Sequence, residues 1–307
     1  MRGLNLLPNE RPFRFGVTLH LPSTRREWMD KCRKAEDLGY DTILIPDHLG
    51  MPAPFPALML AAEVTERPRL GTAMINAGFY PPLLLAREVA TMDLFTDGRL
   101  ELGIGTGQAK HEFEAAGLPF PPGGARVDHL ERTVAELRRV FAAPETRPLP
   151  AQRPMPPLVI AGRGDRVLKL AAQEADIVGF NGAASSRFER PGLPTFGGAA
   201  DMAERVAYVR GVIGERVHEV EFTAMAPAVV PTPDPRAALE RLGHLAPQLS
   251  VAERAEVPGF LVGTAEQMAD KVRANRELYG ISYVCVMEQS IDAMAPVMER
   301  VRGGAVC

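Results

Sequence analysis

An aspartate and a histidine, Asp47 and His48, directly follow the apolar run that ends at Pro46. An imidazole with an ordinary pKa near ~6.5 can give or take a proton at neutral pH, so His48 is a candidate general acid. The alternative is an aspartate that caps a loop beside an incidental exposed histidine. The pair therefore indicates either acid–base chemistry or an ordinary loop.

Glycines alternate with other residues where a second apolar run ends. The residues after Leu100-Glu-Leu-Gly-Ile-Gly105 are Thr106, Gly107, Gln108 and, one helical turn on, His111. Alternating glycines let the backbone approach a bulky planar ligand, and Thr106 and Gln108 can bond to its polar edge. The third glycine comes one position too early for a dinucleotide fingerprint, so that interpretation is discarded. Tight packing of the turn is the alternative explanation of the glycines.

A third turn, Gly162-Arg163-Gly164, lies between an apolar run and a predicted helix. Glycines before a helix N-terminus expose N–H groups, the helix dipole adds partial positive charge, and Arg163 offers a charge-assisted fork. The turn therefore predicts a phosphate site. The alternative is an ordinary glycine turn in which Asp165 caps the helix.

Composition and charge favour a small molecule as the partner. The 307 residues carry 35 basic and 38 acidic side chains without a block of five like charges, so we expect neither nucleic acid nor an anionic membrane as partner. No apolar run approaches the ~20 residues of a membrane span, and the N-terminus does not resemble a signal peptide. Three widely spaced cysteines predict no disulfide framework, and no metal-ligand spacing predicts a metal site. We expect a cytoplasmic protein.

Short β-branched runs alternate with longer amphipathic stretches from Phe13 onward, a pattern typical of βα units and a parallel sheet. The eight predicted strands are 13–19, 41–46, 69–75, 99–105, 157–162, 176–180, 221–230 and 281–287. The eight predicted helices are 23–38, 55–66, 82–94, 126–141, 165–174, 201–213, 264–278 and 291–302.

Eight βα units favour a single α/β domain, 1–307, folded as a (β/α)8 TIM barrel, over an open doubly wound sheet. The extra length falls in loop insertions after strands 4, 6 and 7, at 144–157, 182–200 and 231–258. The active site of such a barrel is built from the carboxyl ends of its strands. His48, Gln108 and Arg163 are all predicted to lie there.

Four phrases, taken in order, resemble one family of proteins. They are Ala35-Glu-Asp-Leu-Gly-Tyr-Asp-Thr-Ile-Leu-Ile-Pro-Asp47-His48, Arg69-Leu-Gly-Thr-Ala-Met-Ile75, Leu94-Phe-Thr-Asp-Gly-Arg-Leu-Glu-Leu-Gly-Ile-Gly-Thr-Gly107 and Pro157-Leu-Val-Ile-Ala-Gly162. On these residues the chain resembles the luciferase-like flavin and deazaflavin oxidoreductases, from residue 13 to about residue 303. The resemblance implies a TIM barrel that binds FMN or the deazaflavin F420 at the carboxyl ends of its strands.

The resemblance also implies roles for individual residues. The F420-dependent branch carries an Asp-His pair after the second strand, matched by Asp47 and His48, with the histidine as proton donor near the hydride-transferring carbon. The third strand of that branch has a bulge with a non-prolyl cis peptide bond, and its place here is Ala73-Met74, with Asn76 just beyond. The positions beside the ring are matched by Thr106, Gly107, Gln108 and His111, and the phosphate-binding turn is matched by Gly162, Arg163 and Gly164.

One departure from the branch bears on the reaction. F420-dependent sugar-phosphate dehydrogenases place a glutamate where this chain has Gln108, and an amide cannot exchange a proton with substrate. Because no basic sugar-phosphate clamp is identified either, we expect reduction of an organic C=C or C=N bond by reduced F420. The alternatives are an FMN-dependent monooxygenase that uses O2 and flavin reduced by a partner reductase, and a non-catalytic flavin-binding protein.

The resemblance finally implies a homodimer formed through the helices that flank the second and third strands, here 55–66 and 82–94. Both helices are more apolar than a solvated barrel helix requires. Their near-continuous apolar residues are Ala57, Leu58, Leu60, Ala61, Leu83, Leu84 and Leu85.

Overall fold

The structure is a computed structural model that describes residues 10–180, 182 and 195–303. These residues form the strands β1 (Arg14–Thr18), β2 (Thr42–Ile45), β3 (Arg69–Thr72), β4 (Ile75–Asn76), β5 (Leu100–Gly105), β6 (Leu158–Gly162), β7 (Ile177–Phe180), β8 (Glu221–Ala226), β9 (Ala228–Pro231), β10 (Phe260–Gly263) and β11 (Ile281–Met287). They also form the helices α1 (Arg25–Asp37), α2 (Pro54–Ala62), α3 (Pro82–Phe95), α4 (Lys110–Ala115), α5 (Gly123–Ala142), α6 (Asp165–Glu174), α7 (Ala199–Ile213), α8 (Pro235–Arg241), α9 (Val251–Glu256), α10 (Ala265–Tyr279) and α11 (Ile291–Gly303).

The predicted helices are all found, and six of the eight predicted strands lie near their predicted bounds. The prediction of one strand over 221–230 is wrong, because the segment forms two strands, β8 and β9, that are separated at Pro227. Proline has no N–H for a sheet ladder, so a strand that reaches it is interrupted. The strand 69–75 is also shorter than predicted, since β3 ends at Thr72 and β4 follows the cis peptide bond Ala73-Met74. Most of the predicted loop 182–200 lies outside the described residues.

The chain divides into two compact units. The first, which we call the His48 unit, comprises Thr18–Ala161 and Glu174–Ile177. The second, the Arg163 unit, comprises the described residues of Met1–Val17, Gly162–Gln173 and Val178–Cys307.

The His48 unit is built on parallel strands in the order β2-β3-β5-β6, with β4 paired to the end of β5. Ile43 pairs with Leu70 and Leu102 with Leu158, and all four side chains are fully buried. Such continuous apolar strands are typical of a parallel sheet that is covered on both faces. Because the strands run in one direction, the residues that follow β2, β4 and β5 meet at one edge of this sheet.

The Arg163 unit contains β8 paired in parallel with β11, with β7 beside β8 and β1 beside β11. A smaller parallel pair, β9 with β10, stands apart from these strands. We call residues 228–263 the inserted module. Its buried core contains Ala228, Leu239, Ala246, Val257 and Phe260, joined by Phe196. The predicted insertion 231–258 is therefore an ordered element with its own core.

Local sequence accounts for where several helices begin. Thr24 and Glu27 form a capping box at the start of α1, and Thr264 and Gln267 do the same for α10. Each reciprocal pair supplies partners to backbone N–H groups that the first turn leaves unpaired. No helix in the described ranges is both long and apolar enough to cross a membrane.

Candidate active site

His48 follows β2 and contacts a carboxylate that lies 64 residues farther along the chain. Its Nδ1 is 2.9 Å from Oε1 and 3.1 Å from Oε2 of Glu112. The Glu112 side chain is 7% exposed, whereas the His48 side chain is 42% exposed. The ring is therefore held by protein on its Nδ1 edge and remains accessible elsewhere.

Asp47 connects the end of β2 to β4 rather than only capping its own loop. Its Oδ2 accepts a hydrogen bond of 3.0 Å from the backbone N–H of Asn76. Burial raises the pKa of Asp47, opposed by the Asn76 N–H and by His48, while the charge of Glu112 raises it further. Burial, followed by the charges of Asp47 and Glu88, raises the pKa of Tyr80 to about 12. Asp47 thus lies in a partly desolvated group of ionisable side chains.

The cis peptide bond that the resemblance implied is present between Ala73 and Met74. Both residues are half-buried, and they lie between β3 and β4. A Cβ on Gly103 would lie 2.0 Å from the Thr72 carbonyl oxygen and 2.6 Å from Met74 Sδ. The neighbouring backbone therefore requires a glycine at position 103.

The surrounding atoms also require a glycine at position 107. Its φ of +68° is in the left-handed region, and a Cβ there would lie 2.1 Å from Asn76 Oδ1. That oxygen accepts a hydrogen bond from the Gly78 N–H at 3.0 Å. The packing explanation therefore accounts for Gly103 and Gly107, whereas the nearest atom to a Cβ on Gly105 would be Met74 Cβ, at an ordinary 3.7 Å.

The predicted ring-binding residues after β5 lie at the surface of the His48 unit. Gln108 and His111 are exposed, and Thr106 and Gly107 are half-buried. Arg126 of α5 donates a hydrogen bond to the Gly107 carbonyl and lies over the Phe120 ring, 4.3 Å from its centroid. The turn between β5 and α4 is therefore fixed from the side of α5.

The predicted phosphate turn joins β6 to α6 in the Arg163 unit. A Cβ on Gly162 would lie 2.5 Å from Val167 Cγ1, whereas a Cβ on Gly164 would meet no atom within 4 Å. Burial lowers the pKa of the Arg163 guanidinium. Asp165, the alternative cap, accepts a 2.6 Å hydrogen bond from Arg205 of α7. Gly162 thus serves packing, and Gly164 leaves space in front of the α6 N-terminus.

A cleft of about 490 Å³, open solvent included, lies in the same unit. It is lined by Gly162, Arg163, Phe180, Gly182, Phe196, Gly197, Gly198, Asp201, Met202, Arg205, Met225, Val257, Pro258 and Gly259. Two cationic side chains, Arg163 and Arg205, line it together with mainly apolar and glycine residues. The inserted module supplies 257–259 of this lining.

Three polar contacts in the His48 unit have no local signature in the sequence. The first, between Glu112 and His48, joins residues that are distant in the chain. Arg126 and His129, one turn apart on α5, both bind backbone carbonyls near the candidate site, those of Gly107 and Ala77. The amphipathic pattern of α5 predicts its buried face but not these partners. Among the described residues, no three His, Cys, Asp or Glu side chains are grouped so that they could hold a metal ion.

Comparisons with known proteins identify the family. An F420-dependent glucose-6-phosphate dehydrogenase of Intrasporangium calvum is 39% identical over 127 residues, which are 38% of this chain and 38% of that protein. The oxygenase component of the flavin-dependent trigonelline monooxygenase of Acinetobacter baylyi is 29% identical over 164 residues, 48% of this chain and 46% of that protein. The chain thus matches less than half the length of each of these curated relatives.

A solved F420-dependent secondary alcohol dehydrogenase, in complex with an F420–acetone adduct, matches the structure with a TM-score of 0.72 at 18% identity. The match covers 95% of this chain and 100% of that chain. This likeness confirms the predicted fold class, the (β/α)8 TIM barrel. The model of the luciferase-like monooxygenase family matches residues 11–282. Since that match spans most of its 307 residues, the chain belongs to the luciferase-like monooxygenase family.

Proposed function

We propose that the protein is an F420-dependent oxidoreductase that transfers a hydride between the deazaflavin and a small organic substrate, with reduction of a C=C or C=N bond favoured. The observation that carries the proposal is the position of His48, which follows Asp47 after β2 and whose accessible imidazole is held by the buried carboxylate of Glu112. Relatives named as F420-dependent dehydrogenases support the choice of cofactor. When bound, reduced F420 supplies the hydride.

The residues at the phosphate turn fit a phosphorylated cofactor. The space beside Gly164 at the start of α6 is open, and Arg163 is a partly desolvated cation on the lining of the neighbouring cleft. A phosphate gains there from helix N–H groups, the helix dipole and a guanidinium. Gly162, Arg163 and Gly164 are accordingly assigned to the phosphate.

The ring-side residues are assigned by the resemblance and lie at one edge of the sheet in the His48 unit. Asp47, Ala73, Met74, Asn76 and Gly107 are connected through the contacts between β2, β4 and β5. The remaining assigned residues, Thr106, Gln108 and His111, lie at the surface just after β5. His48 carries the proton that accompanies the hydride, because its ring is accessible and an imidazole exchanges protons near neutral pH.

The choice of substrate class depends on Gln108. Gln108 carries an amide where sugar-phosphate dehydrogenases of this branch have a glutamate, so oxidation of a sugar phosphate loses that proton-transferring group. Reduction of a C=C or C=N bond needs one hydride and one proton, which F420 and His48 supply together.

Equilibrium titrations of the purified chain with F420 and FMN, side by side, test the proposal. We expect F420 to bind with micromolar or tighter affinity and FMN to bind more weakly. Turnover is then screened with reduced F420 and activated C=C and C=N compounds, followed by the return of oxidised-deazaflavin absorbance. Tighter binding of FMN would instead assign the protein to the monooxygenase alternative.

Arg163→Ala is expected to weaken cofactor binding by about 10- to 150-fold, because it removes one charge-assisted hydrogen bond and leaves the α6 N-terminus in place. The loss should shrink as salt is added, since part of the attraction is screened. A cofactor fragment that lacks the phosphate serves as the control and should bind the variant and the wild type alike. An equal loss for the fragment would mean that Arg163 supports the fold or the ring pocket instead.

One relative favours a second candidate function. The trigonelline monooxygenase component is flavin-dependent, so an FMN-dependent monooxygenase using O2 and a partner reductase is the alternative. Oxygen consumption with reduced FMN would distinguish it from F420-linked reduction. The third possibility, a non-catalytic flavin-binding protein, requires cofactor binding without any turnover.

The surface of α3 supports the predicted homodimer. Of the apolar residues on which the expectation depended, Ala57, Leu58, Ala61 and Leu85 are buried in the chain's own core. Leu83 (57%) and Leu84 (46%) of that set are exposed, and α3 exposes two further apolar side chains that the expectation did not use, Leu94 (39%) and Phe95 (61%). Exposed leucine and phenylalanine side chains at both ends of one helix suit an interface with a second chain. We assign this surface to a second copy of the chain.

Light scattering is expected to give the mass of two chains at micromolar concentration. The double variant Leu84→Glu, Phe95→Glu should give the mass of one chain, because it places charges in the proposed interface. Leu278→Glu on α10 is the matched control, since Leu278 is 63% exposed and lies outside α3. A wild-type mass of one chain would contradict the dimer.

A further inference from the structure

We propose that Glu112 is a positioning residue that fixes the protonation pattern of His48, so that Nδ1 carries a hydrogen and Nε2 is the nitrogen that exchanges protons. The catalytic meaning of this role rests on the proposed function. The contact itself does not, because it is made entirely by residues of the His48 unit.

The geometry defines which atom donates. Both carboxylate oxygens of Glu112 lie within 3.1 Å of Nδ1 of His48. An ionised carboxylate only accepts hydrogen bonds, so the hydrogen of this contact belongs to Nδ1. A neutral imidazole carries one hydrogen, which leaves a lone pair on Nε2.

Glu112 and His48 differ in burial, and this difference suits the positioning role. The carboxylate is almost fully withdrawn from water, whereas nearly half of the imidazole is exposed. A buried charge is costly unless it is hydrogen-bonded, and within the described ranges His48 is the side chain at hydrogen-bond distance from this carboxylate. The pair therefore locks the inner edge of the ring and leaves its outer edge accessible.

Helix α4 offers an internal comparison. Glu114 lies two residues from Glu112, is 60% exposed and forms an ion pair with Lys110 at 3.2 Å. Two glutamates on one short helix thus have different surroundings, and only Glu112 faces His48. The same helix follows the Thr106–Gln108 turn, so Glu112 also ties the end of β2 to that turn.

The proton balance of the proposed reduction uses both ring nitrogens. F420, when bound in its reduced form, would supply the hydride to one atom of the C=C or C=N bond, and Nε2 of the His48 imidazolium would give the accompanying proton to the other. The ring is then neutral, with its hydrogen still on Nδ1 and hydrogen-bonded to Glu112. Water restores the proton on Nε2 before the next turnover. Glu112 neither gains nor loses a proton in this sequence.

The test begins with cofactor-free protein. Long-range 1H–15N spectra of the imidazoles, assigned with His48→Ala, report which ring nitrogen of neutral His48 carries the hydrogen. We expect the Nδ1–H form in the wild type and in Glu114→Gln, and a shift toward Nε2–H in Glu112→Leu and Glu112→Gln. An unchanged His48 spectrum in both Glu112 variants, with the amide spectrum showing an intact fold, would overturn the assignment.

Kinetics then connect the tautomer to turnover. Glu112→Leu should lower kcat about 10-fold or more with little change in cofactor affinity, since a misoriented general acid loses part of its contribution. Glu114→Gln should match the wild type. A Glu112→Leu variant that shows the spectral shift but unchanged kcat would contradict the positioning role. Absence of all F420-linked turnover in the wild type, with the spectral shift present, would contradict the proposed function and support the positioning of His48 by Glu112.

Discussion

Replacing His48 with alanine is expected to lower kcat about 10²-fold or more, the size typical for loss of a general acid. The side chain is accessible, follows β2 and is held by Glu112, so its loss removes the proposed proton donor without removing a core residue. Cofactor affinity should change little, because the cofactor contacts we propose are at the phosphate turn and at the backbone around Met74 and Gly107. Stopped-flow reduction of substrate by reduced F420 measures the effect.

Two controls define what the His48→Ala result means. His244→Ala changes an exposed histidine of the inserted module and should leave kcat unchanged. Added imidazole should restore part of the lost rate, because it can deliver the proton from the vacated space. If turnover of a true substrate is the same in His48→Ala and the wild type, His48 is an ordinary loop residue and the acid–base interpretation is wrong.

Gly103→Ala is expected to destabilise the fold strongly. The added methyl would lie 2.0 Å from the Thr72 carbonyl oxygen, a backbone atom that cannot turn aside as a flexible side chain can. Thr72 is tied in place, since its hydroxyl donates to the Gly103 carbonyl at 2.7 Å and accepts from the Gly103 N–H at 2.9 Å. We expect a loss of about 3 kcal/mol in the free energy of unfolding, at the upper end of overpacking effects.

Gly105→Ala supplies the matched control on the same strand. A methyl at Gly105 meets Met74 Cβ at an ordinary contact distance of 3.7 Å, so the midpoint of urea unfolding should move little. If the two variants lose equal stability, the contact with Thr72 is not the cause. Strand β5 would then tolerate no side chain at either position for another reason. Normal stability of Gly103→Ala would show that β3 can move away from β5.

The sequence predicts the regular part of the fold because hydrophobic periodicity and caps are local signals. All eight predicted helices are present, and α6 has the predicted bounds. The missed elements are short: α4, α8 and α9 have six or seven residues, and β10 has four. Short elements depend on tertiary partners more than on their own pattern. Pro227 signals the break between β8 and β9, but the partner of β9 lies about 30 residues away and has no local signature.

In the candidate site, too, local sequence patterns predict individual residues but not the contacts between distant ones. Asp47 and His48 are visible from their position after an apolar run, as is the Gly162-Arg163-Gly164 turn. The contact between His48 and Glu112 spans 64 residues and depends on how α4 packs, which no local pattern specifies. From the sequence alone, Gly103 and Gly107 could make room either for a ligand or for neighbouring protein atoms. The structure shows neighbouring protein atoms beside each of the two glycines.

The inserted module has a core of its own, and this makes it a candidate for opening as a separate cooperative segment. Its residues 257–259 line the cleft beside Arg163, so a molecule held in that cleft binds the closed segment in preference to the open one. Mass action then raises the free energy of opening by about 2.7 kcal/mol when the ligand is present at 100 times its Kd. Amide hydrogens of β9 and β10 would exchange with solvent about a hundredfold more slowly under those conditions. Amide exchange in the module therefore reports whether the cleft is occupied, even when the ligand has no spectroscopic signal.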